Sequence, residues 1–352
     1  MTLDNTKKAF VQLGDFLREF IHKQEQDVQL TTQNEKDLAT LLNVLPHHNA
    51  WFTKDNLFRS LKAWGECLTD NALDAWLSQY TFKADASKTV AIVMAGNIPL
   101  VGFHDFLCVL LSGHKVHAKL SSNDQLMLPF LTKFLINVEP NLEQRISFTK
   151  ERLEHYDAVI ATGSNNTARY FEYYFKNKPH IIRKNRNSVA ILTGEETSEE
   201  LALLADDIFA YFGLGCRNVS KVYVPKNYDF DAFFKAMFAY KDLINHVKYA
   251  NNYDYNKAVY LMSKIKLLDN GFLVIKEDEN FGSPITCVFY EYYEDLTSLE
   301  HLLDQKRNQI QCVVRQSPDP QKYYEVGFGQ AQSPQLWDYA DGVDTLDFLS
   351  RL

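Results

Sequence analysis

The sequence lacks the patterns that mark several common kinds of site. Its five cysteines are odd in number, lie far apart and form no Cys-x-x-Cys pair, which argues against a disulfide framework or a structural zinc site and favours a reducing cytoplasm. The ten histidines include no His-Glu-x-x-His, and their one adjacent pair, His47-His48, lies in a turn-like stretch that we interpret as solvated surface, so no metal site is expected. The absence of Gly-x-Gly-x-x-Gly removes the usual dinucleotide-binding fingerprint.

Long apolar runs and an excess of positive charge are also missing. No apolar run approaches the length of a membrane span, and the first ten residues, MTLDNTKKAF, lack the apolar core of a signal peptide. The net charge of -8 disfavours a nucleic-acid partner held through phosphate contacts. The 352 residues, 46% of them hydrophobic, suffice for two ordinary domains with a sizeable core. We therefore expect a cytoplasmic globular protein.

The hydrophobic spacing predicts a helical region followed by alternating strands and helices. Up to about residue 80, apolar residues recur three and four positions apart, as in LGDFLREFIHKQ. From TVAIVMAG (89–96) onwards, β-branched apolar runs alternate with helical stretches, which is typical of a doubly wound parallel sheet in an α/β protein. The pattern restarts after Thr193-Gly194. We predict an N-terminal helical region (1–88) packed on the next domain, two α/β domains (89–194 and 195–325) and a C-terminal tail (326–352).

Polar turns follow three of the predicted strands in the first α/β domain. They are Gly96-Asn97, Lys119 to Ser122, and Thr162 to Ser164. Ligands of doubly wound sheets bind at the carboxyl ends of the strands. We therefore predict a binding crevice built from these turns.

One cysteine stands apart from the others. Cys216 lies in YFGLGCRNVSKVYVP (211–225), between a helix-like apolar run and a strand, where glycines allow close backbone approach. The neighbouring cations Arg217 and Lys221 favour the reactive thiolate. We interpret Cys216 as a nucleophile, with a small core residue as the alternative. The other cysteines are embedded in apolar runs and are predicted to lie in the core: Cys67, Cys108, Cys287 and Cys312.

Five short motifs, in order between residue 90 and about residue 290, resemble those of the aldehyde dehydrogenase superfamily. They are Asn-Ile-Pro (97–99), Ala118-Lys119, Thr-Gly-Ser (162–164), Gly215-Cys216 with the Ser-Lys strand that follows, and Glu-Asn-Phe-Gly-Ser-Pro (279–284). From the first motif to the aspartate-rich tail, the chain resembles the acyl-CoA reductase branch of the bacterial-luminescence (LuxC) type. The resemblance implies an aldehyde dehydrogenase-like fold, which binds its nucleotide without the Gly-x-Gly-x-x-Gly motif. The first 80 residues match no motif.

The resemblance implies catalytic roles for two of these residues. Cys216 would attack a thioester carbonyl and hold the acyl group covalently. The side-chain amide of Asn97 would donate a hydrogen bond to the developing oxyanion. The alternative for Asn97 is a turn residue that caps the next helix.

The resemblance also implies a nucleotide site. Lys119 would meet the adenosine ribose or its 2′-phosphate, with a solvated lysine as the alternative. Gly163 and Ser164 would bind the pyrophosphate at a helix N-terminus, where Ser164 also suits an ordinary N-cap. Glu279 and Phe281 belong to the segment that would hold the nicotinamide ribose, although Glu279 also lies in a charged surface run.

A departure from the family pattern indicates the direction of the reaction. Aldehyde-oxidising members carry Glu-Leu-Gly-Gly-Lys, whose glutamate activates the water that hydrolyses the acyl-enzyme; the corresponding stretch here is Arg-Lys-Asn-Arg-Asn (183–187). Arginine cannot act as a general base near neutral pH. The acyl-cysteine should therefore await hydride or a thiol, which favours reduction over oxidation. The cations of this stretch either meet coenzyme phosphates or form a solvated basic turn.

The expected activity is the reduction of an acyl-CoA thioester to a fatty aldehyde. In aldehyde dehydrogenases strict for NAD, an acidic residue lies at about the position of Ser122. Ser122 does not repel a 2′-phosphate, so NADPH is the expected cofactor and NADH the alternative. Reduction of an acyl phosphate, and a non-reducing acyl-transfer or scaffold subunit, remain open as other functions. A homo-oligomer and an acyl-activating partner enzyme also remain open.

Overall fold

The computed structural model describes residues 2–82, 87–322 and 324–352 and divides into two compact units. The first comprises Met1–Lys184 with Gln335–Tyr339 and Val343–Leu352, and the second comprises Asn185–Pro334 with Ala340–Gly342. The sequence prediction started the second α/β domain at residue 195. The second unit starts earlier because the strand that begins at Asn187 pairs with other strands of that unit.

Four helices form the N-terminal part of the first unit, as the hydrophobic spacing predicted. They are α1 (Leu3–Glu25), α2 (Gln33–His48), α3 (Lys54–Cys67) and α4 (Asp70–Leu77). Each follows a threonine whose hydroxyl accepts a backbone N–H of the first turn, the common N-cap arrangement. Gly14 of α1 permits a close approach, because a Cβ there would collide with the carbonyl oxygen of Leu68 at the end of α3. The helices share one hydrophobic core with the first sheet.

A five-stranded parallel sheet completes the first unit. Its strands are β1 (Thr89–Val93), β2 (Lys115–Lys119), β3 (Ile146–Thr149), β4 (Ala158–Thr162) and β5 (His180–Arg183), in the spatial order β3-β2-β1-β4-β5. The accompanying helices are α5 (Phe103–Leu111), α6 (Met127–Val138) and α7 (Asn165–Phe175). Val90 of β1 lies opposite Val116 of β2 on one side and Ala158 of β4 on the other. The strand order reverses beside β1, the position at which doubly wound sheets bind ligands.

The second unit contains a seven-stranded sheet. Its strands are β6 (Asn187–Ile191), β7 (Val219–Pro225), β8 (Leu268–Asp269), β9 (Val274–Glu277), β10 (Cys287–Tyr293), β11 (Ile310–Val314) and β12 (Glu325–Val326), in the order β12-β11-β6-β7-β10-β9-β8. Only β8 runs antiparallel to its neighbour among these described strands. The helices are α8 (Ser198–Phe209), α9 (Phe230–Met237), α10 (Val247–Met262) and α11 (Leu296–Gln305).

Helix α8 shows how local sequence sets an element boundary. Thr197 is its N-cap and forms a capping box with Glu200. In this arrangement the threonine hydroxyl and the glutamate carboxylate each accept a backbone N–H of the other residue. The helix therefore begins at Ser198, directly after the capping threonine.

The C-terminal tail belongs to both units. Residues 335–339 and 343–352, which include α12 (Thr345–Ser350), cluster with the first unit. There the Trp76 ring N–H donates to the Tyr339 hydroxyl over 2.8 Å, and the Tyr80 hydroxyl donates to Asp344 over 2.7 Å. These contacts attach the chain end to α4 and the residues after it. None of the helices in the described part of the chain has both the length and the apolar content needed to cross a membrane.

Candidate active site

Cys216 lies in the loop between α8 and β7. A short 3-10 turn at 210–213 follows α8, and in it Tyr211, Phe212 and Gly213 have φ angles of 53°, 58° and 75°. These left-handed conformations cannot continue a right-handed helix, so the chain turns before it reaches the cysteine. Cys216 is exposed, whereas Cys67 is partly buried and the remaining three cysteines are buried.

Burial also sets three of the other thiols apart chemically. It raises the pKa of Cys67 and that of Cys287 to about 11, and it raises the pKa of Cys108 well above its usual value. A thiol with such a pKa is almost wholly protonated near pH 7 and reacts poorly as a nucleophile. Cys216 is thus the most accessible of the five cysteines, in agreement with its position in the sequence.

The backbone of the Cys216 loop is attached to the neighbouring strand β6. The Ser188 hydroxyl donates to the Cys216 carbonyl oxygen over 3.0 Å and accepts the Cys312 N–H of β11 over 3.0 Å. Ser188 is fully buried. A single hydroxyl therefore connects the cysteine to two strands of the second sheet, and nothing in the sequence around Ser188 had indicated this role.

Strand β7 also holds the segment that begins at Glu279. The Ser220 hydroxyl donates to the Phe281 carbonyl over 2.7 Å, and the Lys221 ammonium donates to the Glu279 carbonyl over 2.9 Å. The Lys221 ammonium also lies 5.5 Å from the centre of the Phe281 ring. The structure therefore links the predicted Glu279 and Phe281 to the strand that follows Cys216.

The two cations next to Cys216 are engaged elsewhere. Arg217 donates from Nε to the Ala331 carbonyl over 2.5 Å, and Lys221 is fully buried in an ion pair with Glu291. Their charges were expected to favour the thiolate of Cys216. The described contacts give both side chains structural partners of their own.

The turn that carries Asn97 packs against the turn after β2. The Met94 N–H donates to the Lys119 carbonyl over 3.0 Å, and a Cβ on Gly96 would lie 2.5 Å from the Ser121 hydroxyl. Glycine is required at position 96 because the two turns approach so closely. The structure thus brings together the Asn97 turn and the turn that contains Lys119 and Ser122; both Asn97 and Ser122 are exposed.

A buried carboxyl that the sequence analysis missed supports the Asn97 turn. Leu100 has a φ of 59°, a left-handed conformation that is uncommon for a leucine, and its N–H donates to Asp124 over 3.0 Å. Burial raises the pKa of Asp124 to about 6, against the lowering effect of hydrogen bonds from the Leu100 and Met127 N–H groups. Asp124 follows Ser122 by two residues, so the polar turn after β2 was the signal for it.

The turn after β4 forms the start of α7. Ser164 is the N-cap of this helix, and its hydroxyl accepts the Thr167 N–H over 3.2 Å. The Gly163 N–H donates to the Arg183 carbonyl over 3.2 Å. The ordinary capping role weighed for Ser164 is therefore present, and it leaves the positive end of the helix dipole at the carboxyl end of β4.

The stretch 183–187 is solvated only in part, since Lys184 and Asn185 are exposed whereas Arg183 is not. Arg183 is buried, pairs with Asp105 at 2.5 Å and donates to the Thr345 hydroxyl over 2.9 Å. The other two cations also have acidic partners, Lys184 with Glu172 at 2.8 Å and Arg186 with Asp341 at 3.1 Å. The Arg183 side chain therefore has its partners within the first unit. The lack of a carboxylate in this stretch still holds.

The predicted site residues divide between the two units. Asn97, Lys119, Ser122, Gly163 and Ser164 belong to the first unit at the carboxyl ends of β1, β2 and β4. The second unit contains Cys216, Glu279 and Phe281. Among the described residues, no group of three or more histidine, cysteine or acidic side chains is arranged to hold a metal ion.

Comparison with protein families and curated proteins gives two matches. Residues 8–298 match the model of the LuxC family, described as acyl-CoA reductase. A long-chain acyl-protein thioester reductase of Vibrio harveyi is 24% identical over 227 residues, which cover 59% of this chain and 47% of that protein. The chain therefore spans about half the length of this curated relative.

Solved structures share the fold. Aldehyde dehydrogenase 21 of Physcomitrella patens, in complex with the reaction product succinate, matches with a TM-score of 0.66 at 13% identity, over 100% of this chain and 84% of that one. An aldehyde dehydrogenase of Bacillus cereus in an NAD+ complex matches with a TM-score of 0.58 at 12% identity, over 91% and 73%. The predicted aldehyde dehydrogenase-like α/β fold with an N-terminal helical region is confirmed.

Proposed function

Because this chain belongs to the LuxC acyl-CoA reductase family, we propose that it reduces an acyl-CoA thioester to an aldehyde, with Cys216 as the nucleophile and NADPH, or NADH, as the reductant. One observation carries the proposal. Cys216 is exposed on a loop whose following strand, β7, holds the Glu279–Phe281 segment through Ser220 and Lys221. A nucleophile and a candidate nucleotide-binding segment are thus supported by the same strand.

The first step transfers the acyl group to the protein. The Cys216 thiolate forms a bond to the thioester carbonyl carbon, and the bond between that carbon and the coenzyme A sulfur breaks. Coenzyme A leaves as a thiolate and takes up a proton. Asn97 is the proposed donor to the oxyanion that forms on the carbonyl oxygen, a role in which a side-chain amide is effective.

The residues at the carboxyl ends of β1, β2 and β4 suit a dinucleotide. Lys119 offers a cation for a ribose phosphate, and the N-terminus of α7 at Ser164 favours an anionic group. When bound, the nicotinamide supplies the hydride that reduces the acyl carbon to the aldehyde level. Cys216 then leaves from that carbon as a thiolate and is ready for the next acyl group. Ser220 and Lys221 keep Glu279 and Phe281 in position for the ribose.

The name of the Vibrio harveyi relative favours a second acyl donor. That protein is called an acyl-protein thioester reductase, so an acyl group carried as a thioester on another protein is a candidate substrate here as well. The bond broken at Cys216 would be of the same kind. The two donors differ only in the group that leaves.

Intact-mass measurement after incubation with acyl-CoA tests the proposal. The parent protein and Cys287→Ala should each gain one acyl group, and Cys216→Ala should gain none, because Cys287 is a buried thiol. Addition of NADPH should remove the group from the first two proteins and release aldehyde. Equal labelling of the two variants would contradict the assignment of Cys216. An acyl group that persists with NADPH and with NADH would indicate an acyl-transfer subunit.

A further inference from the structure

Asn218 closes the turn that carries Cys216 through two hydrogen bonds to the backbone of Gly215. The Gly215 N–H donates to the Asn218 side-chain oxygen over 2.8 Å, and the Asn218 N–H donates to the Gly215 carbonyl over 3.1 Å. Cys216 and Arg217 are the two central residues of this four-residue turn. The direction in which the cysteine side chain projects is therefore set by how firmly Gly215 and Asn218 are held together.

Asn218 is also anchored to the end of α8. Its side-chain NH2 group lies within hydrogen-bonding distance of three carbonyl oxygens, those of Asp207 at 3.1 Å, Ile208 at 3.3 Å and Ala210 at 2.8 Å. The last carbonyls of a helix have no intrahelical N–H partner, so a buried helix end needs such a donor. Asn218 is only 2% exposed. One buried amide thus satisfies the helix end and closes the nucleophile turn.

The exposure of Cys216 makes this attachment consequential. The direction of an exposed side chain depends on the backbone that carries it. The Cys216 backbone has two described anchors on its two sides, Asn218 through Gly215, and Ser188 on the Cys216 carbonyl. Since a displacement of about 1 Å can slow an oriented reaction by about 100-fold, loss of an anchor should be visible in the rate.

We propose that Asn218 is a positioning residue for the nucleophile: it fixes the turn 215–218 against the end of α8 so that Cys216 is presented for attack on the thioester. The inference rests on the proposed function of Cys216. Asn218 itself touches no substrate. Its amide acts through the backbone of Gly215.

The first test compares Asn218→Ala with Asn256→Ala. Asn256 is a matched control in the same unit, since it is 8% exposed and its side-chain amide donates to the Ile285 carbonyl over 2.9 Å. Both variants lose a buried hydrogen bond to the backbone, so both should show a lowered melting temperature. In single-turnover experiments with acyl-CoA, acylation of Cys216 should be about 10- to 100-fold slower in Asn218→Ala and within threefold of the parent in Asn256→Ala.

The rate of alkylation by iodoacetamide distinguishes a misoriented Cys216 from a general destabilisation of the fold. This small reagent needs no oriented binding site, so its rate with Cys216 should stay within threefold of the parent in Asn218→Ala. Acylation rates that are equal in Asn218→Ala and Asn256→Ala would overturn the inference. If the parent protein itself gains no acyl group on Cys216, the proposed function fails, which is a separate result.

Asn218→Asp decides the matter if Asn218→Ala does not fold. A protonated aspartic acid can still accept the Gly215 N–H and donate to one α8 carbonyl, whereas an ionised one would place negative charge against those oxygens. Near pH 7 a carboxyl is ordinarily ionised, so acylation in Asn218→Asp should be about 10- to 100-fold slower than in the parent, while alkylation by iodoacetamide stays within threefold. The neighbouring Asp206, Asp207 and Arg217 are present in both proteins and bear on both rates. An acylation rate of Asn218→Asp within threefold of the parent would overturn the inference.

Discussion

Replacing Asp207 with asparagine should remove a pH dependence from the stability of the fold. Asp207 is a fully buried residue of α8 whose carboxyl accepts the N–H groups of Gly329, over 2.7 Å, and Ala331, over 2.9 Å. Burial is the strongest influence and raises its pKa from 3.8 to about 7, although these two hydrogen bonds and the Arg217 charge lower it. The Asp207 carboxyl is thus a neutral acid in the folded protein at mildly acidic pH.

The sign and size of the effect follow from proton binding. Between pH 3.8 and about 7 the folded protein holds a proton on Asp207 that the unfolded chain has lost. The free energy of unfolding therefore falls as the pH rises through this window, by about 1.4 kcal/mol for each pH unit. The contribution is complete below pH 3.8 and is lost above about pH 7. From pH 5 to pH 7 the expected loss is about 2 kcal/mol, because the slope has halved by the time the pH reaches the pKa of the folded protein.

Urea unfolding at pH 5, 6, 7 and 8 measures this slope. The difference in unfolding free energy between the parent and Asp207→Asn should shrink by about 2 kcal/mol from pH 5 to pH 7 and then level off. Asparagine cannot accept both N–H groups equally well, so a constant offset is expected, and the slope is the informative quantity. Asp206→Asn, altered at the preceding residue, should keep most of the slope. A pH-independent difference for Asp207→Asn would refute the assignment of a raised pKa.

Two further predictions concern the proposed site. Asn97→Ala should slow acylation of Cys216 by about 10²–10³-fold with nucleotide affinity unchanged, as measured by single-turnover labelling and nucleotide titration; a rate within threefold of the parent would make Asn97 a turn residue only. Lys221→Met removes a buried charged donor to the Glu279 carbonyl. Because such a hydrogen bond contributes about 1.5–3 kcal/mol, the affinity for NADPH should fall about tenfold or more. The rate of alkylation of Cys216 should stay within threefold of the parent. An unchanged dissociation constant for NADPH would show that Lys221 does not support the nucleotide segment.

Much of the architecture could be read from the hydrophobic pattern. Long periodic stretches such as α1, and apolar runs such as β1 and β4, predict their own structure because each buries a regular face or a whole strand. Strand β3 was missed because its four residues, ISFT, form no apolar run. The serine is exposed and the other three residues are only partly buried. Strands β8 and β12, of two residues each, carry no pattern at all.

The candidate site was only partly predictable, for a different physical reason. The exposure of Cys216 follows from a local feature, a cysteine at the joint between a helix and a strand. The roles of Ser188 and Asp207 depend on contacts with Cys216 and Gly329, which lie 28 and 122 residues away along the chain. Arg183 was predicted from its charge to be solvated or to bind phosphate. In the structure it pairs with the buried Asp105, which lies 78 residues away along the chain.

The fate of the acyl group on Cys216 tests the central claim most directly. With labelled acyl-CoA and no nucleotide, the protein should accumulate one acyl group per chain and release little free acid, because general-base assistance worth about 10²–10⁴-fold is absent from the 183–187 stretch. Addition of NADPH should then convert the protein-bound label to aldehyde within the same single turnover. Rapid catalytic release of free acid without nucleotide would contradict the account and would make the chain a thioesterase or an oxidising dehydrogenase.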